Sequence, residues 1–401
     1  MEIIVQKFGG TSVATDEGRS RAAAKVIKTI EEGYSVVVVV SAMGRKGEPY
    51  ATDSLIHLAK DIEKRVDTRE LDLLVSCGEI ISTVVMAQTL EKHGHAAIAL
   101  TGGQAGVLTD QNFGEAQIIG INPENILRHL GEGKVVVVAG FQGITAGGDI
   151  TTLGRGGSDT TATALGAALE AKMVEIYTDV DGVMTADPRI IPDAKILREL
   201  TYQEICEMAN QGAKVVHPRA VAIARDKKVP VKVKSTFSDD GGTLIHEGKT
   251  SRIITGIAHQ TGLGLVLVKG KNGQLTSEDP VKVFKKLAES SISVDMNSVS
   301  TGQVSFVVKQ ENLGKAGDLL LPFGYDVELL PHNAKIALIG TGMQDVPGIM
   351  VRVVETLHKH RIRLLQTVDS EITISCLVPE TQIPEAIKVL YHEFGLSNER
   401  E

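Results

Sequence analysis

The sequence predicts an α/β protein in which helices cover both faces of a mainly parallel sheet, followed by two small domains with a β-α-β-β-α-β order. Three observations support this. Short apolar runs alternate with helical patterns through the first 247 residues, most of these runs end in glycine-rich or polar loops, and hydrophobic positions beyond about residue 250 recur at a spacing of 70 residues. We expect a large first domain at 1–247, a linker strand with the first small domain at 248–330, and the second small domain at 331–401.

The strands of the first domain are expected at its apolar runs. These runs are residues 3–5, 36–40, 96–100, 135–139 and 174–177. Helical periodicity lies between them, as in residues 19–33, and this rhythm is typical of βαβ units. Ligands bind at the carboxyl ends of the strands in such sheets, so the loops that follow these strands are expected to form one site.

The second half contains two copies of one small unit, as the 70-residue spacing of Leu287 and Leu357 illustrates. Each copy places a helical pattern, at 281–290 or 348–360, between strand patterns. Units of this kind leave sheet edges free for pairing, which favours contact between subunits or binding of a small regulator. A duplicated scaffold without any ligand is the alternative.

Composition limits the class of protein. The chain has 401 residues, 42% hydrophobic and 23% charged, with a net charge of −8 and a pI near 5.8. This charge argues against a general nucleic-acid binder. The three cysteines have neither zinc-site nor disulfide-framework spacing, and the apolar runs are strand-sized and follow no leader sequence. We expect a cytoplasmic protein that binds neither nucleic acid nor membrane and builds no metal site of its own.

The first strand ends in Lys7, Phe8, Gly9 and Gly10. Glycines let backbone N–H groups approach phosphate oxygens, a following helix adds its positive N-terminus, and lysine supplies a point charge. The pattern therefore favours a phosphate site. A tight turn with a solvated lysine is the alternative.

A second glycine-rich loop, residues 151–161, leads into a helix predicted at 162–171. Arg155 lies within the glycines, where its planar guanidinium suits two-point binding of a carboxylate. Ser158 and Asp159 could also act simply as N-caps of the helix.

Glu79 lies between two apolar stretches, where an unpaired charge is costly to bury. It needs a cationic partner, either a structural lysine or arginine or the ammonium group of a substrate. A further segment, residues 178–189, is rich in acids and turn formers. It indicates either Asx-turns in an exposed loop or, near a triphosphate, acids that act through magnesium carried mostly by the nucleotide.

The chain contains no G-x-x-x-x-G-K-[ST] loop, no protein-kinase motif set and no GxGxxG fingerprint. Instead it resembles the amino acid kinase fold, and within it the aspartokinase family, over its whole length. The resemblance is carried by Lys-Phe-Gly-Gly-Thr-Ser at residue 7, Ser-Ala-Met-Gly at 41, Gly-Phe-Gln-Gly at 140, Gly-Arg-Gly-Gly-Ser-Asp-Thr-Thr at 154 and Thr-Ala-Asp-Pro-Arg at 185.

The resemblance implies transfer of the γ-phosphoryl group of ATP, with Mg²⁺ carried by the nucleotide, to the β-carboxylate of L-aspartate. The product, 4-phospho-L-aspartate, would begin the pathway to lysine (through diaminopimelate), threonine and methionine. The implied catalytic residues are Lys7, Asp159 and Lys214. The implied aspartate-binding residues are Ser41, Thr52, Glu79, Arg155, Gly156, Gly157 and Ser158. The implied nucleotide-binding residues are Lys7, Phe8, Gly9, Gly10, Thr178, Asp179, Met184, Arg189, Lys214 and Val215.

No general base is required for this reaction. A carboxylate with a pKa near 3.9 is already a nucleophile at neutral pH. Positioning and charge neutralisation suffice for phosphoryl transfer, so the lack of a catalytic histidine is no objection.

The resemblance identifies the repeated units as tandem ACT domains that give feedback control. In that family one unit is inserted into the other, so 253–258 would belong with the second unit and 263–330 would form the first. The effector-binding residues it implies are Ile292, Ser293, Val294, Asn297, Gly348, Ile349, Ile362 and Arg363. Val281 stands where ACT effector loops usually have glycine, whereas the second copy reads Asp345-Val346-Pro347-Gly348. A homodimer through the ACT domains is also implied.

The insertion at 44–50 and the short first ACT unit look more like diaminopimelate-sensitive aspartokinases than lysine-sensitive ones, and lysine and threonine stay open as effectors. Two other functions compete. One is phosphorylation of glutamate or a nucleotide by another member of the fold, and the other is a non-catalytic amino-acid sensor. Four charged residues placed around glycines speak against a sensor with a dead site.

Overall fold

The computed structural model describes residues 1–213, 215–248, 252–270, 273–341, 343 and 346–397. They form two compact units. The first comprises residues 1–183, 196–209 and 215–248, and the second comprises 184–195, 210–213 and the described residues from 252 onward. The domain limits at 247 and 330 remain predictions.

The first unit is built on two sheets. Its strands are β1 (Ile3–Phe8), β2 (Ser35–Val40), β3 (Ala97–Leu100), β4 (Val107–Thr109), β5 (Ile118–Ile121), β6 (Val135–Ala139), β7 (Gln142–Ile144), β8 (Ile150–Thr152), β9 (Met173–Thr178), β10 (Glu199–Thr201), β11 (Val231–Ser235) and β12 (Thr243–His246). Eight of them form the main sheet in the order β10-β12-β11-β9-β1-β2-β6-β3, and β5-β4-β7-β8 form a smaller one. Among the described strand pairs of the main sheet, β11–β12 alone is antiparallel.

Helices pack around the main sheet because its central strands are apolar on both faces: Val36 to Val40 are at most 2% exposed. The helices are α1 (Gly10–Val13), α2 (Asp16–Glu31), α3 (Thr52–Ile62), α4 (Thr68–Lys92), α5 (Glu124–Gly131), α6 (Gly157–Ala168), α7 (Tyr202–Asn210) and α8 (Pro218–Lys227). Within the described chain, α4 alone is long and apolar enough to cross a membrane, but half of its apolar window is buried inside the protein. Two buried carboxylates on α4, Asp72 and Glu79, further mark it as a core helix.

The second unit is built on one antiparallel sheet. Its elements are β13 (Gly256–Lys269), α9 (Asp279–Glu289), β14 (Asp295–Val299), β15 (Gln303–Lys309), α10 (Leu313–Leu320), β16 (Asp326–Ile339), α11 (Ile349–Lys359), β17 (Gln366–Asp369), β18 (Thr373–Pro379) and α12 (Ile383–Glu393). The strand order is β14-β15-β13-β16-β18-β17. The predicted fold class is confirmed, with a mainly parallel sheet in one unit and paired ACT-type repeats in the other.

The long strands β13 and β16 join the two repeats. Residues 256–260 pair with 335–339, and residues 265–269 pair with 326–330. Ile254 and Ile257 accordingly lie in the core that contains α11 and α12, whereas Val266 and Val268 lie in the core that contains α9 and α10. Each repeat therefore takes one half of each long strand.

Residues 184–195 pack in the second unit, although the sequence pattern placed them with the first. Ala186 and Ile191 are buried in the core around α11 and α12. Thr185 lies 3.1 Å from the Tyr391 hydroxyl, and its carbonyl accepts a 2.8 Å hydrogen bond from the Ile257 N–H. These apolar and backbone contacts explain the difference.

Candidate active site

An ion pair links the two glycine-rich loops of the first unit. Lys7, near the end of β1, lies 2.7 Å from the carboxylate of Asp159 in the first turn of α6. The side chains are only 12% and 13% exposed. The predicted lysine and aspartate are therefore held together in a partly water-excluded site.

The loop after β1 is packed tightly against the loop after β2. A Cβ atom on Gly10 would lie 2.5 Å from the Ala42 carbonyl oxygen and 2.9 Å from that of Gly44. Gly9 donates its N–H to the Tyr177 carbonyl at 3.3 Å. Only glycine permits this approach of two backbones, which forms a cradle of main-chain atoms beside Lys7.

The side chain of Phe8, a predicted nucleotide-binding residue, lies in the hydrophobic core. Its ring is fully buried and stacks on Tyr177 at 4.7 Å between ring centres. Its side chain therefore cannot contact a ligand.

The second glycine-rich loop differs in detail from the prediction. Helix α6 begins at Gly157 rather than at residue 162, with Gly156 as its N-cap in the left-handed region (φ +74°). Ser158 and Asp159 therefore lie within the first helical turn, and the hypothesis that either serves as the N-cap is wrong. Arg155 is exposed, and its guanidinium forms no hydrogen bond or ion pair within the described residues.

Two side chains that sequence reasoning missed hold the strand entering this loop. Asp72 accepts hydrogen bonds from the Gly114 N–H at 2.9 Å, the Thr152 N–H at 2.8 Å and the Thr152 hydroxyl at 2.6 Å. Arg219 donates to the Leu153 carbonyl at 2.7 Å. The signal for Asp72 was its spacing of seven residues from Glu79, which places both on one helix face.

Glu79 is 2% exposed. One carboxylate oxygen accepts a 3.1 Å hydrogen bond from the Ala42 N–H, and the other is buried with no hydrogen-bond partner in the described part of the chain. Burial raises the pKa of Glu79 to about 8, although the Ala42 hydrogen bond opposes this. No lysine or arginine of the described chain forms an ion pair with it, so of the two partners considered, the ammonium of a ligand is favoured.

His217 packs beneath the second loop. A Cβ atom on Gly156 would lie within 2.1 Å of its ring. Burial lowers the pKa of His217, while the nearby Asp159 acts in the opposite direction. A neutral imidazole therefore supports the glycine backbone.

The remaining residues predicted to bind aspartate lie at the ends of neighbouring elements. Ser41 follows β2 and donates its N–H to the Phe8 carbonyl at 3.1 Å, and Thr52 begins α3. Ser158 lies beside Gly140, where a Cβ would meet its side chain at 2.9 Å.

The predicted nucleotide-binding residues are divided between the units. In the first unit, Thr178 ends β9 and Asp179 follows it, and their side chains lie 3.2 Å apart. Met184 and Arg189 belong to the second unit, and Arg189 pairs with Asp187 there at 2.6 Å. Lys214 lies outside the described residues, and Val215 is half-buried. Their joint role stays a prediction.

The predicted effector residues differ in their exposure. Ile292, Ile349 and Ile362 are buried in the hydrophobic cores and can offer a ligand only main-chain atoms. Val294 is half-buried, and the exposed members are Ser293, Asn297, Gly348 and Arg363. Gly348 has a φ of +93° at the start of α11, whereas Asp345 lies outside the described residues.

No cluster of three or more histidine, cysteine, aspartate or glutamate side chains suited to a metal is found among the described residues.

Comparison with known proteins gives a consistent result. The amino acid kinase family profile matches residues 2–235, and an ACT domain profile matches 336–394. The chain is 47% identical to aspartokinase 1 of Bacillus subtilis, with 99% of this chain and all of that protein aligned. Its fold is similar to that of E. coli aspartokinase III in complex with aspartate and ADP (TM-score 0.77, 28% identity, 98% and 99% of the two chains). The structure of the same enzyme with lysine and aspartate has a TM-score of 0.76 at 28% identity, covering 98% of this chain and all of that one.

Proposed function

Because this chain belongs to the amino acid kinase family and, within it, to the aspartokinases, we propose that it transfers the γ-phosphoryl group of ATP to the β-carboxylate of L-aspartate, forming 4-phospho-L-aspartate. It is an ATP-dependent kinase that acts on aspartate.

The observation that carries the choice of substrate class is Glu79. A buried carboxylate with one unsatisfied oxygen is costly unless a cation completes it. The ammonium group of an amino acid supplies both the charge and the donors. The exposed Arg155 guanidinium, with its planar donors, suits a carboxylate of the same ligand.

In this mechanism the protein positions two anions and neutralises their charge. The substrate β-carboxylate attacks the γ-phosphorus, a P–O bond forms as the bond to the β,γ-bridging oxygen breaks, and ADP leaves. Lys7 lies beside the glycine cradle and would contact the transferring group, and Asp159 keeps its ammonium oriented. A loose transition state gains most from fixed cations of this kind, which would include Lys214.

The residues fit a nucleotide that brings its own magnesium. Gly9 donates its N–H to the Tyr177 carbonyl, but α1 begins at Gly10, and the first N–H groups of a helix suit phosphate oxygens. The acids after β9 lie at the end of the strand next to β1. When bound, Mg²⁺ would supply further charge neutralisation at the phosphates.

The test is ATP-dependent acyl phosphate formation, trapped with hydroxylamine, using L-aspartate and L-glutamate side by side. Aspartyl hydroxamate alone is expected. Formation of glutamyl hydroxamate would leave the fold assignment intact and show that the substrate is glutamate. Absence of product with intact ATP binding would favour an amino-acid sensor.

We also propose feedback regulation through the ACT repeats by an end product of the aspartate pathway, with diaminopimelate favoured over lysine and threonine. The support is the pair of repeats and the insertion at 44–50. Titration of the kinase activity with meso-diaminopimelate, lysine and threonine tests this, and inhibition by lysine or threonine alone would reverse the preference. A homodimer through the ACT repeats is part of the proposal, and sedimentation of the full chain tests it.

A further inference from the structure

Arg45 forms an ion pair between the loops on either side of the glycine-rich loop that follows β1. Its guanidinium lies 2.7 Å from the carboxylate of Asp179. Arg45 follows β2 and Asp179 follows β9, and these strands flank β1 in the sheet. The ion pair therefore joins the two neighbours of the strand that carries Lys7 and the glycine cradle.

The backbone on which Arg45 sits is fixed to that cradle. The Gly44 N–H donates to the Gly10 carbonyl at 3.1 Å. After Gly44, which has a φ of +89°, the chain closes into a turn in which Glu48 donates its N–H to the Arg45 carbonyl at 2.9 Å. The Glu48 carboxylate accepts the Arg45 N–H at 3.2 Å. The turn fixes the Arg45 backbone next to Gly44, which is hydrogen-bonded to Gly10, while the Arg45 side chain is held only by its exposed ion pair with Asp179.

The Arg45–Asp179 pair itself is easy to exchange. The two side chains are 70% and 45% exposed. Exposed ion pairs contribute little to stability, because water and salt compete with them. A phosphate offers the guanidinium the same two-point geometry as a carboxylate and carries more charge.

We propose that Arg45 binds the polyphosphate chain of the nucleotide, and that it leaves Asp179 when the phosphates enter the cradle. This inference rests on the proposed function for the identity of the nucleotide. Arg45 thereby adds a second cation at the end of the sheet that carries Lys7, and Asp179 is the partner that holds it in the ligand-free protein.

The experiment measures binding of inorganic tripolyphosphate to the full-length protein by calorimetry, because this probe lacks base and ribose. Arg45→Ala is expected to weaken binding about tenfold, as for loss of a charged hydrogen bond. Arg45→Lys keeps the charge but lacks the planar donor pair of the guanidinium, so its tripolyphosphate affinity should lie between those of wild type and Arg45→Ala. Lys46→Ala is the matched control, since Lys46 is the adjacent exposed cation.

Asp179→Asn gives the second arm, and in magnesium-free buffer it should tighten tripolyphosphate binding by releasing Arg45. Removing the negative charge of Asp179 would by itself also tighten binding of an anion. The double variant separates this effect from the release of Arg45. If Asp179 acts through Arg45, the gain disappears when Arg45→Ala is also present.

Three results would overturn the proposal. The first is that Arg45→Ala weakens tripolyphosphate binding no more than Lys46→Ala does. The second is that Asp179→Asn weakens tripolyphosphate binding. The third is that the wild-type protein binds no tripolyphosphate. Aspartyl hydroxamate formation is assayed separately. If aspartate turnover is normal but the Arg45 and Asp179 variants do not change tripolyphosphate affinity as expected, only this inference fails. If the variants behave as expected but aspartate is not phosphorylated, only the proposed substrate is wrong.

Discussion

Asp72 and Glu79 lie two turns apart on one buried face of α4, each 2% exposed. Asp72 holds the strand that leads into Arg155, and Glu79 carries the free carboxylate oxygen. A single helix therefore sets the spacing between the group that would bind the substrate ammonium and the loop that would bind its carboxylate.

Asp72→Ala is expected to raise the KM for aspartate about tenfold and leave the KM for ATP unchanged, because it frees the backbone of Thr152 and Gly114. Asp72→Asn should restore aspartate binding. Its amide oxygen can accept both N–H groups and its NH₂ can donate to the Thr152 hydroxyl. Steady-state kinetics with each substrate varied separately is the measurement. Equal rises in both KM values, without rescue by asparagine, would show that Asp72 supports only the general fold.

The pH dependence of aspartate binding should follow Glu79. With a pKa near 8 in the ligand-free protein, this carboxyl is mostly protonated at pH 7 and must lose its proton to accept an ammonium group. The KM for aspartate should therefore fall as pH rises from 6.5 to 8.5. In Glu79→Gln this dependence should vanish and the KM should rise about a hundredfold, with ATP binding intact. A pH profile unchanged by the substitution would remove Glu79 from the aspartate pocket.

Stability should show the opposite trend. The folded-state pKa of Glu79 lies above its ordinary value, so its neutral form fits the fold and ionisation opposes folding as pH rises from about 4.5 through 8. Without ligand, Glu79→Gln should raise the Tm by several degrees relative to wild type at pH 8.5, and much less at pH 4.5. Thermal unfolding of both proteins at the two pH values measures this. A Tm difference that is the same at both would contradict it.

Strand positions were predictable from sequence because they depend on local apolar runs, as in Val36 to Val40. The start of α6 was not, because Gly157, Ser158 and Thr160 are poor helix formers. The helix begins there because Gly157 follows Gly156, whose backbone is left-handed, and packs against Phe141. The contact with Phe141 is not visible in the local sequence pattern.

Lys7 and Glu79 were identified from their neighbours along the chain. Asp72 was not, because its partner Thr152 is 80 residues away. Arg45 and Asp179 are likewise brought together only by the strand order β9-β1-β2. Sequence motifs thus identified groups that could face the ligand but missed most groups that hold them in place.

Lys7→Ala should lower kcat by about two to three orders of magnitude, as for loss of a fixed charge at the transition state, with the KM for aspartate within about twofold. Lys172→Ala is a suitable control. Lys172 precedes β9, at the opposite end of that strand from Asp179, where it pairs with Glu2. Rapid-quench measurement of the phosphoryl-transfer step separates chemistry from product release. Normal turnover with weaker aspartate binding would show that Lys7 only positions substrate.

Gly10→Ala should abolish most activity without unfolding the protein. The added Cβ would meet the Ala42 and Gly44 carbonyl oxygens at 2.5 and 2.9 Å, so the two loops must separate. Tripolyphosphate binding and kcat should both fall, because the cradle and the Arg45 turn are displaced together. Gly120→Ala is the matched control, since a Cβ there meets nothing within 4 Å. The measurement compares tripolyphosphate affinity, kcat and Tm between the two variants. Full activity in Gly10→Ala would mean that the contact between the loops is not needed for phosphate binding.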